Sequence, residues 1–559
     1  MRILPNGSLL FTLLFFLITP ASGFGQEGTD CSSCHDQGAK LPQSAHAKVT
    51  CLECHPKFTA YPHPENVPKP QCASCHPQQA GEHSRSVHGL ALEAGNAAAP
   101  GCATCHGDTH ELPRAGTPEF HRLVPETCGM CHTEVAEQFN ASVHGQAVAR
   151  GIREAPVCTD CHGEHEIRPH TDTRSTVNPL QIRETCGSCH DDVRLGRRFN
   201  IPLDRIQSFD ESFHGLALKA GSQTVANCAS CHGVHNIFRS TDRRATTNVA
   251  NLPQTCGQCH PGAGSRFAIG TVHLAEGFEP AVVVWVRRFY LGVIPFTLGF
   301  MILHHLGDWI RKLFRMRIQA QAGASAPLPL RHAEVRMLRF ERIQHFLLLT
   351  SFMVLVWSGF ALKYPDAWWA VPLVAYESAY PFRGTIHRIA AAVLVTVSIM
   401  HVLSLLVNRR LRSHWLTMLP RRNDVYEMLG ALAYNLGLRS TKPVISPHSY
   451  VEKVEYWAVV WGTFIMAATG FLLWFNNWSL RWMPKSWLDA ATSIHFYEAV
   501  LASLAILIWH FYTVIFDPDV YPMDPAWLTG HSVRRRVSHS QDEPAVEAHS
   551  SEERQSSAD

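Results

Sequence analysis

The chain has no cysteine after residue 259, and before residue 280 it has few long apolar runs. The first half therefore offers too little apolar sequence for a conventional hydrophobic core, whereas the second half has runs long enough to cross a membrane. The chain also lacks a strong net charge, since its formal value is +2 over 559 residues. This balance gives no reason to expect a nucleic-acid partner. What is abundant is 18 Cys and 34 His, in a chain long enough for two or more domains.

The first residues have the features of an export signal. Arg2 gives a positive charge, Leu9 to Thr19 an apolar stretch, and Ala21-Ser22-Gly23 a small-residue cleavage site. We predict a signal peptide over residues 1–23. The alternative, an uncleaved membrane anchor, would need a longer apolar run. Either way, the region that follows is exported.

All 18 cysteines belong to one pattern, Cys-x-x-Cys-His, which occurs nine times and leaves none over. In this pattern two thiols bond covalently to a haem, and the adjacent histidine binds its iron. Disulfides and zinc sites do not require a histidine after every second cysteine. The predicted haem-bound cysteines are Cys31, Cys34, Cys51, Cys54, Cys72, Cys75, Cys102, Cys105, Cys128, Cys131, Cys158, Cys161, Cys186, Cys189, Cys228, Cys231, Cys256 and Cys259. The predicted proximal iron ligands are His35, His55, His76, His106, His132, His162, His190, His232 and His260.

Nine haems would also supply the apolar interior that residues 24–280 lack. We therefore predict a mainly α protein. Its exported cytochrome c domain, residues 24–280, has short helices and loops packed on haem. A transmembrane di-haem cytochrome b bundle of five helices follows over residues 281–520.

The exported region repeats a unit in which Ser-x-His-Gly precedes the next motif. Its three histidines, His88, His144 and His214, each lie 14 residues before a cysteine. If every iron is bound by two histidines, nine more ligands are needed. The predicted distal candidates are His46, His63, His83, His88, His110, His144, His165, His214, His235 and His273. His165 follows its own motif so closely that we expect it to bind a neighbouring haem. Iron held by two histidines conducts electrons and leaves no position for a substrate.

The predicted membrane spans are about 287–307, 343–363, 385–407, 454–475 and 494–516. Lys and Arg are concentrated in the loops 308–342 and 408–453 and are sparse in the loops between the other spans. The positive-inside rule then places the haem domain in the periplasm. It places the polar tail, residues 521–559, in the cytoplasm, where its composition predicts disorder. The predicted location is the cell inner membrane.

Histidines inside apolar spans are costly and indicate a function. His387 and His401 lie 14 residues apart, about 21 Å along one helix axis, and His495 and His510 are placed similarly on another. Two such helices predict two b haems, one near each membrane face. His345, at the inner end of the second span, competes with His401 as the partner of His510.

Residues 338–516 resemble the cytochrome b subunit of formate dehydrogenases and Ni/Fe hydrogenases. The matching pieces are Arg342-Ile343-Gln344-His345, Ser358-Gly359-Phe360, Ile386-His387-Arg388, Lys453-Val454-Glu455-Tyr456-Trp457, Ile494-His495 and His510-Phe511-Tyr512. The resemblance implies that His345 and His510 hold the inner haem and that His387 and His495 hold the outer one. It also implies a quinone site beside the inner haem. His510 comes one residue later than in that family, and His401 has no clear counterpart there.

Nine c motifs ahead of such a domain resemble the CbcL-type inner-membrane quinol oxidoreductases of metal-reducing bacteria. The function that this implies is electron transfer without group-transfer chemistry or a catalytic side chain. Menaquinol from the membrane quinone pool would be oxidised in anaerobic respiration. Its electrons would pass through two b haems to nine c haems, then to soluble periplasmic cytochromes c or extracellular acceptors. The alternatives are a quinone-reducing entry module for a periplasmic dehydrogenase or hydrogenase, and an electron relay without a quinone site.

Overall fold

The computed structural model describes residues 31–58, 63, 69–264, 273, 279–321, 335–377, 381–443 and 450–532. The predicted signal peptide and the tail beyond residue 532 lie outside these residues. Within them the chain is helical and has no strand, as the sequence predicts. The chain divides into two compact units. The first is Met1–Asn140 with His144–Arg168, and the second is Ala141–Val143 with Pro169–Asp559.

The helices before residue 280 are short, and the longest of those described has 12 residues. In chain order they are α1 (Gln37–Lys40), α2 (Cys51–Cys54), α3 (Pro77–Ser84), α4 (Val87–Glu93), α5 (Cys102–His106), α6 (Pro118–Gly129), α7 (Thr133–Ala141), α8 (Val143–Ala149), α9 (Cys158–His162), α10 (Ile182–His190), α11 (Val193–Phe199), α12 (Asp204–Glu211), α13 (Phe213–Lys219), α14 (Cys228–His232) and α15 (Leu252–Gly257).

The apolar cores of this region are correspondingly small. One cluster consists of buried Val148, Ala155 and Val157, with a few partly buried neighbours such as Phe139. A cluster of this size is too small to hold so long a stretch of chain together. The short helices therefore need another source of apolar contact.

The repeated Ser-x-His-Gly sequence builds a helix start. Ser86 caps α4, because its hydroxyl accepts a hydrogen bond from Gly89 N at 3.0 Å. A Cβ on Gly89 would lie 2.0 Å from the carbonyl oxygen of His83, so only glycine lets the two helices pack this closely. His88 lies between Ser86 and Gly89, and the cap and the close contact fix it in the first turn of α4. The same arrangement recurs at Ser212, His214 and Gly215.

Five helices of the second unit are long and apolar enough to cross a membrane. They are α16 (Ala281–Gln321), α17 (Arg339–Lys363), α19 (Phe382–Val407), α22 (Tyr450–Trp474) and α24 (Lys485–Ala505), the last continued by π-helical turns at Ile506–His510 and Tyr512–Phe516. The shorter helices between and after them are α18 (Val371–Val374), α20 (Arg409–Trp415), α21 (Arg422–Asn435), α23 (Asn476–Trp482) and α25 (Ala526–Thr529). In the bundle α17 packs mainly on α19, and α24 packs on both α22 and α16.

The first membrane helix is longer than the span predicted from apolar residues. It continues to Gln321, because the charges that mark the end of the apolar run are paired rather than solvated. Lys312 lies 2.6 Å from Asp308 and 2.7 Å from Asp517. These ion pairs also attach α16 to the end of the last membrane helix.

The π-helical turns explain the position of His510. Fifteen residues separate His495 from His510, and a regular helix would rotate the second side chain about 60° away from the first. The wider turn at Ile506–His510, which lies between the two histidines, takes up the extra residue and restores the alignment.

Candidate functional site

Histidine rings face each other in pairs in both units. Each imidazole nitrogen lies about 2.0 Å from a metal that it binds, so two rings on opposite sides of one metal have centres about 6.3 Å apart. In the part of the chain that the structure describes, motif histidines have a second histidine with ring centres 5.8 to 6.3 Å away. Such pairs include His35–His63, His46–His76, His55–His110, His88–His132, His106–His165, His214–His260 and His232–His273. Every pair joins one predicted proximal ligand to one predicted distal ligand, with room for one iron.

The partners are not the nearest motifs in sequence. His165 comes three residues after the motif histidine His162, yet its ring faces His106 at 6.1 Å. His110 follows His106 and faces His55. This arrangement is expected if such histidines bind the iron of a neighbouring haem. Each of these two pairs then combines histidines from the regions of two different motifs.

The other predicted ligands are placed as follows. His83 places Nε2 3.1 Å from the carbonyl oxygen of Pro100. His144 lies in the first turn of α8, and His235 follows α14. The motif histidines His162 and His190 end α9 and α10. Their role as iron ligands stays a prediction.

Disulfide and zinc chemistry have no support in the described residues. No disulfide joins the 18 cysteines, all of which lie in the described residues, and no three His, Cys, Asp or Glu side chains converge there as a bare metal site requires.

Several candidate ligands are oriented through Nδ1. Asp108 lies 2.7 Å from Nδ1 of His110, and hydrogen bonds from the backbone N–H and the ring of His110 lower the pKa of Asp108. Nδ1 of His273 donates to the carbonyl oxygen of Arg205 at 2.9 Å. Such bonds fix the proton on Nδ1 and leave Nε2 for a metal.

In the membrane bundle, His387 on α19 and His495 on α24 face each other with ring centres 6.4 Å apart. Nδ1 of His387 lies 2.9 Å from the hydroxyl of Ser358, which itself donates to the carbonyl oxygen of Val354. The hydroxyl proton is thus used, so the oxygen accepts from Nδ1 and Nε2 is left unprotonated. Thr469 holds His495 in the same way, also at 2.9 Å.

Two glycines give this pair its space. A Cβ on Gly359 or on Gly470 would lie 3.4 Å from Cε1 of His387 or His495, respectively. Larger side chains there would fill the volume beside the rings. The two histidines, their hydroxyl acceptors and the glycines together fit a flat prosthetic group held by two imidazoles.

A second pair lies towards the other end of the bundle. The rings of His345 on α17 and His510 are 6.3 Å apart. Nδ1 of His510 is 3.3 Å from a carboxylate oxygen of Glu455, whose other oxygen accepts from Thr513 at 3.0 Å. Nδ1 of His345 is buried and has no hydrogen-bond partner within the described ranges. This pair also fits one iron.

His401, the other candidate partner of His510, is hydrogen-bonded to different side chains. The indole of Trp415 donates to the Tyr456 oxygen at 2.6 Å, and Tyr456 lies 2.8 Å from Nε2 of His401. Nδ1 of His401 is directed to Oε1 of Gln344 at 3.4 Å, an oxygen that can only accept, so Nδ1 holds the ring proton. Nε2 of His401 therefore accepts from the Tyr456 hydroxyl. The geometry therefore favours His345 as the partner of His510.

An ion pair borders this cluster. His414 on α20 lies 2.9 Å from a carboxylate oxygen of Glu341. The hydrogen bond to Glu341 and the attraction of its charge raise the pKa of His414. This stabilises the positively charged form of the ring next to the His401–Tyr456 contact.

Sequence reasoning missed a second group of buried polar side chains, on α16. Nε2 of His304 lies 2.7 Å from the hydroxyl of Tyr450, and both ring nitrogens of His305 are buried without a partner in the described structure. Nearer the other end of α16, Tyr290 donates to Glu498 at 2.8 Å. The sequence does contain an indication of this group, because the adjacent His304 and His305 fall inside the first predicted span.

Residues 337–521 match the family model of prokaryotic cytochrome b561. The chain is also 29% identical over 154 residues to the cytochrome c-type protein NrfB of Escherichia coli O6:H1, an alignment that covers 24% of this chain and 74% of that protein. The protein joins a multihaem c-type cytochrome to a b-type cytochrome. No solved structure matches the chain.

This fusion is a multi-pass membrane protein that transfers electrons through haems. Both membrane histidine pairs and His401 lie inside the matched cytochrome b561 segment. Helix α16, with His304 and His305, precedes that segment.

Proposed function

We propose that the protein is an inner-membrane quinol oxidoreductase. It oxidises menaquinol near the cytoplasmic face and delivers the electrons to soluble periplasmic cytochromes c or extracellular acceptors. The observation that carries the proposal is the polar cluster of Gln344, His401 and Tyr456 directly beside the His345–His510 pair. A redox centre next to side chains that accept and pass protons is what quinol chemistry requires.

The proposed ligands follow from the pairs. His345 with His510 and His387 with His495 would hold two b haems, and the nine Cys-x-x-Cys-His motifs would hold nine c haems. When bound, each haem iron takes up and releases one electron at a time. The exported domain has the limits predicted from the sequence, residues 24–280.

The proton chemistry falls to the side chains. Each menaquinol that becomes menaquinone releases two electrons and two protons, and two one-electron acceptors are reduced. One quinol proton can move to the Tyr456 oxygen as Tyr456 passes its own proton to Nε2 of His401. Glu455, which already contacts His510 and Thr513, is placed to accept the second. Arg342, three residues before His345, adds a positive charge at the same helix end.

A site at this position has an energetic consequence. Quinol protons are released on the cytoplasmic side while the electrons move outward, so each electron carries charge across the bilayer. Forward turnover therefore consumes membrane potential, and reverse turnover, which reduces quinone, builds it.

The test is quinol-driven reduction in membranes that contain the holoprotein. Under anaerobic conditions a menaquinol analogue should reduce the b haems first and the c haems afterwards. A dehydrogenase substrate unrelated to quinone should not replace it. If quinol leaves the b haems oxidised while dithionite reduces them, the protein does not oxidise quinol.

A further inference from the structure

The last c motif is in direct contact with the membrane bundle. Nδ1 of His260, the proximal histidine of that motif, lies 3.0 Å from Oδ1 of Asn477. A motif histidine binds iron through Nε2, so Nδ1 carries the proton and donates it to the amide oxygen. Asn477 is the second residue of α23, the short helix between the membrane helices α22 and α24. A hydrogen bond thus links a predicted c-haem ligand to the turn that joins two b-haem helices.

Two further contacts hold the same site to the same end of the bundle. Gly262, two residues after His260, has a left-handed conformation (φ +91°) and packs against Arg481 of α23. A Cβ at Gly262 would lie 3.2 Å from Nε of that arginine. Lys219, on the helix that carries His214, forms an ion pair of 2.6 Å with Asp366 after α17.

This end of the bundle is also where the His387–His495 pair lies. His387 is five residues into α19, and His495 is ten residues into α24. Thr469 and Gly470, which shape that pair, lie close to the end of α22, just before α23. Helix α23 therefore has the outer membrane pair on one side and the His214–His260 pair on the other.

We infer that the haem site of His214 and His260 is where electrons pass between the bundle and the exported domain, and that Asn477 sets the potential of this site through His260. The inference rests on the proposed transfer from b to c haems and adds the point of crossing. Electron transfer slows steeply with distance, so a docked site carries the current in preference to sites farther along the chain.

Asn477 acts as a positioning residue. An acceptor on Nδ1 makes the imidazole a stronger donor to iron and favours the oxidised state, which lowers the potential. The amide also holds the ring in one orientation relative to the bundle.

The experiment uses the full-length holoprotein with Asn477→Leu and Asn477→Asp, and Asn476→Leu as the matched control. Asn476 is the neighbouring residue of α23 and makes no hydrogen bond to His260 in the described structure. Haem content is counted first. Mediated potentiometric titration, which needs no quinol, should then show one c haem raised in potential by Asn477→Leu and lowered by Asn477→Asp. His214→Met, which exchanges a nitrogen ligand for a thioether and raises the potential, identifies the haem that responds.

Rapid mixing with quinol supplies the second measurement. Asn477→Asp, which lowers the potential of the receiving haem and so the driving force for its reduction, should slow reduction of the c haems several-fold, with unchanged reduction of the b haems and a normal response of the control. The inference is overturned if neither variant shifts any c haem, if both shift it in the same direction, or if the c haems are reduced at the wild-type rate. Failure of the proposed function would give a different result. Quinol would then not reduce the b haems of the wild-type protein, whereas the shifts in potential of the variants would persist.

Discussion

The Tyr456 hydroxyl donates a hydrogen bond to Nε2 of His401 over 2.8 Å. That nitrogen is the one a b haem would use, so the contact separates two roles that the sequence leaves open. His345, whose ring faces His510, is in the position of an iron ligand. His401 is in the position of a proton acceptor next to it.

Substitution of these two histidines should therefore give different results. His345→Gln should remove the inner b haem, because it removes an axial ligand. His401→Gln should keep both b haems and slow quinol oxidation by about 10²-fold, the usual effect of losing a general base. Reduced-minus-oxidised spectra and quinol-driven reduction rates measure the two effects. Tyr456→Phe, which loses only the hydroxyl, should follow His401→Gln. Loss of a b haem from His401→Gln would reverse the assignment.

The outer pair makes a simpler prediction. His387→Ala and His495→Ala should each remove the same b haem, since their rings face one another at 6.4 Å. Extracted haem b should fall from two to one per chain in both variants, with identical residual spectra. Thr469→Val, which removes the hydroxyl acceptor of His495, should retain the haem and change its potential. If the two alanine variants kept different haems, the pairing would be wrong.

The number of bound haems tests the interpretation that each Cys-x-x-Cys-His motif binds one haem covalently. Nine Cys-x-x-Cys-His motifs with no cysteine left over predict nine covalent haems on the mature chain and two further haems that solvent extracts. Intact-mass spectrometry before and after extraction gives both numbers. A covalent count of seven or fewer would contradict the account of the exported domain.

The His414–Glu341 pair predicts a pH effect on stability. Because the pairing raises the pKa of His414, its contribution is complete below the ordinary histidine pKa of about 6.5. It is lost as the pH rises through the higher value of the folded protein. His414→Gln should thus lower stability by about 1 kcal/mol at acidic pH, and the difference from wild type should vanish at alkaline pH. Thermal unfolding of the solubilised protein, followed through the b-haem absorbance, shows the trend. A difference independent of pH would mean that charge is not the cause.

Much of this architecture follows from sequence, because its signals are local. The nine motifs, the apolar spans and the histidines within them can each be read from a few neighbouring residues. The helical fold class was predicted correctly for the same reason. The repeated serine and glycine around His88 are visible as a pattern, but their roles as cap and contact surface require the preceding helix.

What the sequence did not supply depends on residues far apart in the chain. Asn477 meets His260 across 217 positions, and nothing local marks it. The engagement of His401 depends on Tyr456 and Trp415, which lie on two other helices. The length of α16 was underestimated because its charged end is paired with Asp517 near the end of the last membrane helix.

An imposed membrane potential gives the sharpest test of quinol oxidation beside the inner pair with electrons moving outward. Proteoliposomes of uniform orientation are supplied with menaquinol and an impermeant external acceptor, and an inside-negative potential is imposed. Each electron that moves outward then travels down the potential, worth about 2.3 kcal/mol per charge for 100 mV across the full membrane. Turnover should accelerate under this potential and slow when its sign is reversed. Turnover that does not change with the potential would contradict an inner site and would place quinol oxidation at the outer face, beside His387 and His495.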